Sequence, residues 1–240
     1  MKRFLLFILV LAWSNLLLAQ TETDTLSSKE SRKSGQLSGR AADHFMIQLG
    51  YNGWAGAPDS FRTGGLNRTF NMYFMFDFPF KSDPRFSAAI GAGVGTDNMF
   101  FKETTIDLRK YPLSFAHDTI SSYKKYKIAT GYLEVPVELR FASNPTNYNK
   151  TFKAALGIKV GTMVDAHTKA KISRDREGYG GYTQKVKDRR NFNGTRLAGT
   201  LRVGYGVFSI FGTYQFNEFI REGAGPNVKP YSIGLTISGL

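Results

Sequence analysis

Residues 151–165, TFKAALGIKVGTMVD, decide the fold class because their apolar and polar side chains alternate with a period of two. That period is typical of a β-strand with two unlike faces. One face carries apolar side chains from Phe152 to Val164, and the other carries Lys153, Lys159 and glycines. Strands in soluble domains commonly have about five or six residues. The greater length here favours a tilted strand that crosses a membrane, which needs about 9–11 residues.

The same alternation recurs along the chain and predicts further long strands. Connections between them alternate between short and long, so that the short turns lie at one end. This pattern predicts an all-β fold, an eight-stranded antiparallel up-and-down transmembrane β-barrel. A soluble lipocalin-like barrel with its apolar face inside is the alternative, because alternation alone does not separate inside from outside. The predicted strands are 44–54, 66–78, 85–97, 128–142, 151–165, 193–205, 207–218 and 229–239.

The N-terminal residues predict export. Lys2 and Arg3 precede an apolar run, and residues 1–19 have the form of a cleaved secretory signal peptide. Residues 20–43 contain four cations, four acids and no aromatic residue, which predicts a flexible periplasmic linker. The outer-membrane barrel is therefore expected to occupy residues 44–240.

Composition limits the chemistry and the partners. The 240 residues include 32 Lys and Arg against 19 Asp and Glu, a net charge of +13, and no cysteine. Without cysteine the chain has no disulfide, thiolate metal site or cysteine nucleophile. A basic balance suits an anionic partner, and export argues against nucleic acid. We therefore expect outer-membrane lipid and lipopolysaccharide as partners.

The alternation also predicts which charged side chains face the lumen. The interior of an eight-stranded barrel is narrow enough for side chains to fill. Buried charges must pair, so we predict a closed lumen in which Glu138 pairs with Arg140 or Lys153. A small ion-selective path is the alternative. The predicted lumen charges are Asp77, Glu134, Glu138, Arg140, Lys153, Lys159, Arg196 and Arg202.

Two predicted extracellular loops are basic. Residues 166–191 hold eight Lys and Arg against three acids, and residues 98–127 hold six against three. Either a solvated loop or a site for phosphorylated lipid headgroups fits this excess. The basic loop residues singled out are Lys169, Lys171, Arg174, Arg176, Lys185, Lys187, Arg189 and Arg190.

No residue pattern predicts a cofactor, a metal site or a catalytic site. His44, His117 and His167 lack the spacing of metal ligands. His167 lies near Asp165 and Ser173, and such a set would suit acyl transfer. Ser, His and Asp occur together by chance in many loops, so we expect no enzyme.

The stretch Gly131–Phe141, GYLEVPVELRF, resembles the Tyr-Leu-Glu-Val-Pro strand of an outer-membrane β-barrel family common in Bacteroidetes, often called porin-family or PorT-like. Residues 226–235 and the glycine-rich 89–95 are similar to the last and third strands of that family. The resemblance implies a barrel in the outer membrane. We expect a porin-like or structural envelope protein. A PorT-like accessory barrel of a secretion or gliding apparatus and a lipid-modifying enzyme are the alternatives.

Overall fold

The computed structural model describes residues 44–58, 63–102, 104–117, 123–145, 150–172 and 181–239. The predicted signal peptide and linker lie outside these residues. No helix in the described part of the chain is long and apolar enough to span a membrane. The strands are β1 (Phe45–Ala55), β2 (Arg68–Pro79), β3 (Phe86–Phe101), β4 (Thr104–Asp107), β5 (Ser114–His117), β6 (Tyr123–Ala142), β7 (Phe152–Ile172), β8 (Thr183–Lys187), β9 (Thr195–Tyr205), β10 (Phe208–Gln215) and β11 (Lys229–Ser238).

Eight of these strands form a closed antiparallel ring. The order around the ring is β1-β2-β3-β6-β7-β9-β10-β11, and β11 pairs with β1 to close it. Because each strand has a partner on both sides, its backbone polar groups are satisfied without water. The predicted eight-stranded barrel is confirmed, and each barrel strand overlaps one predicted segment.

The apolar face of the barrel lies outside. On β6, Leu133 and Leu139 are 52% and 61% exposed, whereas Glu134 between them is 2% exposed. On β7, Leu156 is 65% exposed and Lys159 is 3% exposed. A soluble barrel would show the reverse, so the lipocalin-like alternative is wrong.

The exposed apolar side chains form a belt around the barrel. On β7 the belt runs from Phe152 to Val164. Twelve residue steps rise roughly 40 Å along a strand, and a tilt of about 45° reduces this to roughly 28 Å, close to the usual apolar band. Aromatic side chains lie at both edges of the belt. They are Tyr51, Tyr214, Phe216 and Tyr231 towards the long connections, and Phe78, Phe80, Phe86, Phe152, Tyr205 and Phe208 towards the short turns.

A folded region, which we call the cap, continues beyond the belt. The predicted long loops are wrong here, because β6 and β7 extend to 20 and 21 residues and β8 pairs with the extension of β7. Strands β4 and β5 add a hairpin. The outward residues of these extensions are charged. The apolar alternation that identifies a membrane strand therefore ends before the strands themselves end. The cap comprises residues 98–102, 104–117, 123–131, 165–172, 181–194 and 219–228.

The interior of the cap is apolar. A cluster of buried side chains fills it, and the hairpin is fixed by Tyr126, whose hydroxyl donates to the carbonyl of Ile106 at 2.7 Å. The Ile106 N–H donates back to that hydroxyl at 2.9 Å. Members of the cluster include Met99, Phe101, Ile106, Leu108, Leu113, Tyr126, Ile128, Phe192, Phe219 and Ile220.

A β-bulge separates barrel and cap on β7. Gly131 pairs with Asp165 and Tyr132 pairs with Met163, so that Val164 is an extra residue. A Cβ at Gly131 would lie 3.6 Å from Asp165 Cβ and 3.7 Å from Val164 Cγ2, so both side chains lie on one face. The bulge therefore turns Asp165 outward. The alternation had predicted an inward Asp165, which is wrong.

Beyond the bulge the phase of β7 is reversed. Lys169 and Lys171 are exposed, and Ala166 and Ala170 are buried in the cap. Without the extra residue, the lysines would enter the apolar cluster and the alanines would face water.

Candidate functional site: ion clusters in the lumen and a basic outer surface

Glu134 is the centre of an ion cluster that crosses the lumen. The Tyr73 hydroxyl donates to its Oε2, and Lys159 Nζ lies 3.4 Å from the same oxygen. Arg196 Nη1 donates to Oε1 at 3.0 Å, and Arg196 Nη2 also pairs with Asp97. These five side chains come from β2, β3, β6, β7 and β9. The cluster therefore links five of the eight barrel strands through the interior.

A second cluster lies closer to the short turns. Glu138 Oε2 accepts from Arg140 Nε at 2.8 Å and from Arg202 Nη2 at 3.0 Å. Asp77 Oδ1 lies 3.9 Å from Arg140. Of the two predicted partners of Glu138, the structure shows Arg140. It also shows Arg202, which was not predicted as a partner of Glu138, and Lys153 is buried.

Glycines leave the room that the carboxylate of Glu134 needs. A Cβ at Gly95 would lie 2.9 Å from Glu134 Oε2, and one at Gly161 would lie 2.9 Å from Glu134 Cγ. Beside Lys159 and Arg196 the lumen keeps a cavity of ≈ 10 Å³, roughly the space of one water molecule. The space beside these two side chains is therefore small.

Two residues of the cluster around Glu134, and one residue bound to it, were missed from the sequence. Asp97 stood at the end of a predicted strand, and Tyr73 was not assigned to the lumen. Gln215 Oε1 accepts from Arg196 Nε at 3.1 Å and was also missed. The sequence did contain a signal for Tyr73. Phe70 and Phe74 are on the outward face of β2, so the odd-numbered residues of this strand, Tyr73 among them, point inward.

The outward surface of the cap carries a row of lysines in neighbouring strands. Lys127 lies opposite Lys169, which lies opposite Lys185 on β8. Neighbouring strands are about 4.8 Å apart, so like charges in direct opposition repel. Partial burial lowers the pKa of Lys127 from its usual value, and so do the nearby cations Lys169 and Arg68. We call this surface the lysine face; its residues are Lys125, Lys127, Lys169, Lys171 and Lys185.

Four of the eight cations of the predicted basic loop are thus in strands. The strands hold these four at fixed spacing, which a flexible loop would not do, and two of the eight cations are neutralised. Lys187 pairs with Asp165 at 2.7 Å and Arg190 with Asp188 at 2.7 Å. The eight positions are Lys169 and Lys171 in β7, Lys185 and Lys187 in β8, Arg189 and Arg190 in the following connection, and Arg174 and Arg176 outside the described residues.

A concave site, which we call the arginine notch, opens where the chain leaves β8 for β9. Arg189 Nη1 donates to the carbonyls of Met163 at 2.9 Å and Val164 at 3.3 Å. Arg221 Nε donates to the carbonyl of Phe192 at 3.0 Å. The cavity has a volume of ≈ 490 Å³. It is lined by Thr162, Met163, Arg189, Arg190, Phe192, Gly194 and Arg221.

The histidine and acid considered for catalysis do meet. His167 Nδ1 lies 2.7 Å from Asp165 Oδ2, and Lys187 binds the other carboxylate oxygen. Ser173 lies outside the described residues. Within the described ranges, no three His, Cys, Asp or Glu side chains form a group that could hold a metal ion.

Comparison with protein families finds a match over most of the chain. The family described as outer membrane protein beta-barrel domain matches residues 33–219. The chain belongs to this family. Its barrel accordingly lies in the outer membrane, with the apolar belt facing lipid.

A comparison of structures finds similarity to the crystal structure of Ail, the attachment invasion locus protein of Yersinia pestis, in complex with the heparin analogue sucrose octasulfate. The sequence identity is 15%, the match covers 81% of this chain and 96% of that chain, and the TM-score is 0.33. A search of curated protein sequences gives no match.

Proposed function

We propose that this protein is a structural barrel of the outer membrane that does not conduct ions and has no enzymatic activity. The observation that carries the proposal is the buried ion cluster around Glu134, which joins side chains from five strands across the lumen. An ion moving through the barrel would have to break these pairs. Leaving one buried charge without its partner costs about 3–5 kcal/mol.

Apolar packing at both ends supports the same proposal. Towards the short turns, Met46, Met75 and Ala89 form a buried cluster inside the barrel. Towards the long connections, the apolar interior of the cap covers the lumen. Apolar side chains packed in a pore are a barrier to hydrated ions.

Planar-bilayer recording of the purified protein tests the closed lumen. We expect no steady conductance from the wild type. A triple variant, Glu134→Ala with Lys159→Ala and Arg196→Ala, removes three of the five side chains of the cluster around Glu134 and is expected to conduct at least transiently. Lys185→Ala in the cap is the control and is expected to stay silent. Large, steady channels from the wild type would contradict the proposal and favour a porin.

We further propose that the cap faces the cell exterior and that the short turns face the periplasm. The chain has no cysteine, so single cysteines report orientation without background. Gln184→Cys in the cap is expected to react with a membrane-impermeant maleimide on intact cells. Ser82→Cys, in the turn after β2, is expected to react only after lysis. The opposite result would reverse the orientation.

One observation favours the accessory-barrel alternative. Strand β8 pairs only with β7 among the described residues, so it ends the sheet with a free edge outside the belt. An exposed edge accepts an added strand from a partner protein. Affinity purification from cross-linked cells distinguishes the two proposals: a stoichiometric protein partner that is lost on Val186→Pro would favour the accessory role. For the enzymatic alternative, lipid A from a deletion strain is expected to be unchanged.

A further inference from the structure

The arginine notch lies at the edge of the apolar belt. Val164 and Leu197, next to it on β7 and β9, are 45% and 40% exposed and mark the last apolar positions before the cap. Thr162, which lines the notch, is on the same outward face of β7. The notch therefore opens sideways, at the level where lipid headgroups begin.

Two guanidinium groups of the notch are fixed by the backbone. Arg189 and Arg221 each donate to main-chain carbonyls, and this uses only part of the five N–H groups of a guanidinium. In the part of the chain that the structure describes, no carboxylate lies within 4.0 Å of either group. Arg190 adds a third cation, which Asp188 partly neutralises. The notch is therefore a preorganised, positively charged concavity.

The composition of the notch fits a phosphate ester better than a bare anion. Guanidinium groups bind phosphate oxygens through paired N–H donors. The remaining wall reaches Met163 and Phe192, which are apolar, and the volume of ≈ 490 Å³ exceeds what a single phosphate ion fills. A ligand with one phosphate and an attached sugar or glycerol matches both parts of the wall.

We propose that the arginine notch binds the phosphate group of a membrane lipid in the leaflet next to the cap. The position at the belt edge favours a lipid over a soluble anion, since a lipid phosphate lies at this depth and has its acyl chains against the belt. Binding would fix the height of the barrel in the leaflet. This site goes beyond the closed lumen of the proposed function, and conductance does not bear on it.

The test is retention of lipid by the purified protein in detergent, followed by native mass spectrometry. The probes are lipid A and its fully dephosphorylated form. We expect the wild type to retain lipid A at least tenfold better than the dephosphorylated probe. Arg221→Gln is expected to lower lipid A retention at least tenfold. Arg189→Lys keeps the charge but loses the paired N–H donors of the guanidinium, and is expected to lower lipid A retention about threefold or more.

Gly194 offers a variant that changes the shape of the notch and keeps its charge. No atom lies within 4 Å of a Cβ built at Gly194, and its φ is not positive, so a side chain fits there without strain. Gly194→Leu is expected to occupy the cavity and lower lipid A retention at least fivefold. Lys169→Gln, which removes a cation from the lysine face, is the matched control and is expected to change retention less than twofold.

Three outcomes would overturn the proposal. Equal retention of the phosphorylated and dephosphorylated probes would show that the phosphate is not recognised. Full retention by both Gly194→Leu and Arg221→Gln, with the barrel folded, would place the lipid elsewhere. Displacement of lipid A by millimolar inorganic phosphate would assign the notch to a soluble anion.

Discussion

The barrel and the cap place apolar and charged side chains on opposite faces. In the barrel, Leu156 faces outward and the charged Glu134 is buried. In the cap, Lys169 faces outward and the apolar Met99 is buried. Strands β3, β6 and β7 run through both regions. Along one strand, the outward side chains are therefore apolar in the barrel and charged in the cap. The difference shows that the surrounding medium, lipid or water, decides which residue type a strand can place outside.

The two regions are also held together differently. The barrel interior is linked by short-range ion pairs between strands, whereas the cap interior depends on apolar burial and a few hydrogen bonds. Substitutions in the barrel and in the cap should therefore change folding and stability by unequal amounts.

The largest effect is expected from removing a charge inside the barrel. Glu134→Gln leaves Lys159 and Arg196 without their shared carboxylate and should lower the free energy of unfolding by about 3–5 kcal/mol. Urea unfolding in lipid vesicles, followed by tryptophan fluorescence, measures it. Lys185→Ala on the lysine face is the control and should change it by less than about 0.5 kcal/mol. Equal effects of both variants would refute a stabilising ion cluster.

The second-largest effect is expected from a charge placed on the outer, lipid-facing surface of the barrel. Leu156→Arg puts a cation into the lipid near the middle of the belt, at a cost of about 2–4 kcal/mol. Folding yield into vesicles, read as heat-modifiable migration on gels, should fall strongly. Tyr182→Arg, at an exposed apolar position of the cap, should fold as the wild type does. Normal folding of the Leu156 variant would mean that this face does not meet lipid.

The hydrogen bonds of the cap should matter less. Tyr126→Phe leaves the buried N–H and C=O of Ile106 without partners, at about 1–3 kcal/mol. Because the hairpin lies outside the barrel, the loss should be local: amides of Thr104–Asp107 should exchange hydrogen faster while β9 is unchanged. Tyr111→Phe, with its side chain 71% exposed, is the control. Faster exchange throughout the barrel would contradict a separately stabilised cap.

The smallest effect is expected on the lysine face. Lys169→Glu replaces two like-charge oppositions by two attractive ones and should stabilise the protein by about 0.2–1 kcal/mol, less at high salt. Lys110→Glu, in an exposed connection, is the control.

The pH dependence of the lysine face has a defined sign. The pKa of Lys127 is lowered in the folded state, so the unfolded chain binds more protons as pH rises through the folded pKa towards 10.5. Stability should therefore increase over that range in the wild type. Lys169→Glu should reduce this increase, and an unchanged pH profile would show that the lysines do not interact.

The period-two alternation was sufficient to predict the eight strands and the outward position of residues such as Leu156. It required only local sequence and the length of a membrane crossing. The cap was missed because Lys125, Lys127, Lys169 and Lys171 replace apolar residues on the outward face. A membrane-strand pattern ends there, although the hydrogen-bonded ladder continues.

The charged residue types of the lumen were predicted, and so was the pair of Glu138 with Arg140, but the pairs around Glu134 were not. The phase of each strand places Glu134 and Lys159 inside, but which charges meet depends on the register between strands. Register is fixed by neighbours far away in sequence, and a bulge such as that at Val164 shifts it by one residue. The arginine notch depends on Arg189 and Arg221, which belong to separate connections, so no local pattern could indicate it.

The seam between the first and last strands has a consequence for how the barrel assembles. Met46 on β1 pairs with Ser238 on β11, so the ring closes only through its most distant residues in sequence. Every other pair of barrel strands is adjacent along the chain, apart from the cap hairpin and β8, and can zip locally. Closure of the longest loop has the largest entropic cost and comes last. Strands therefore pair in sequence first, and β1 and β11 pair with each other last. Until that step both strands have an unpaired edge that must be protected from pairing with other chains.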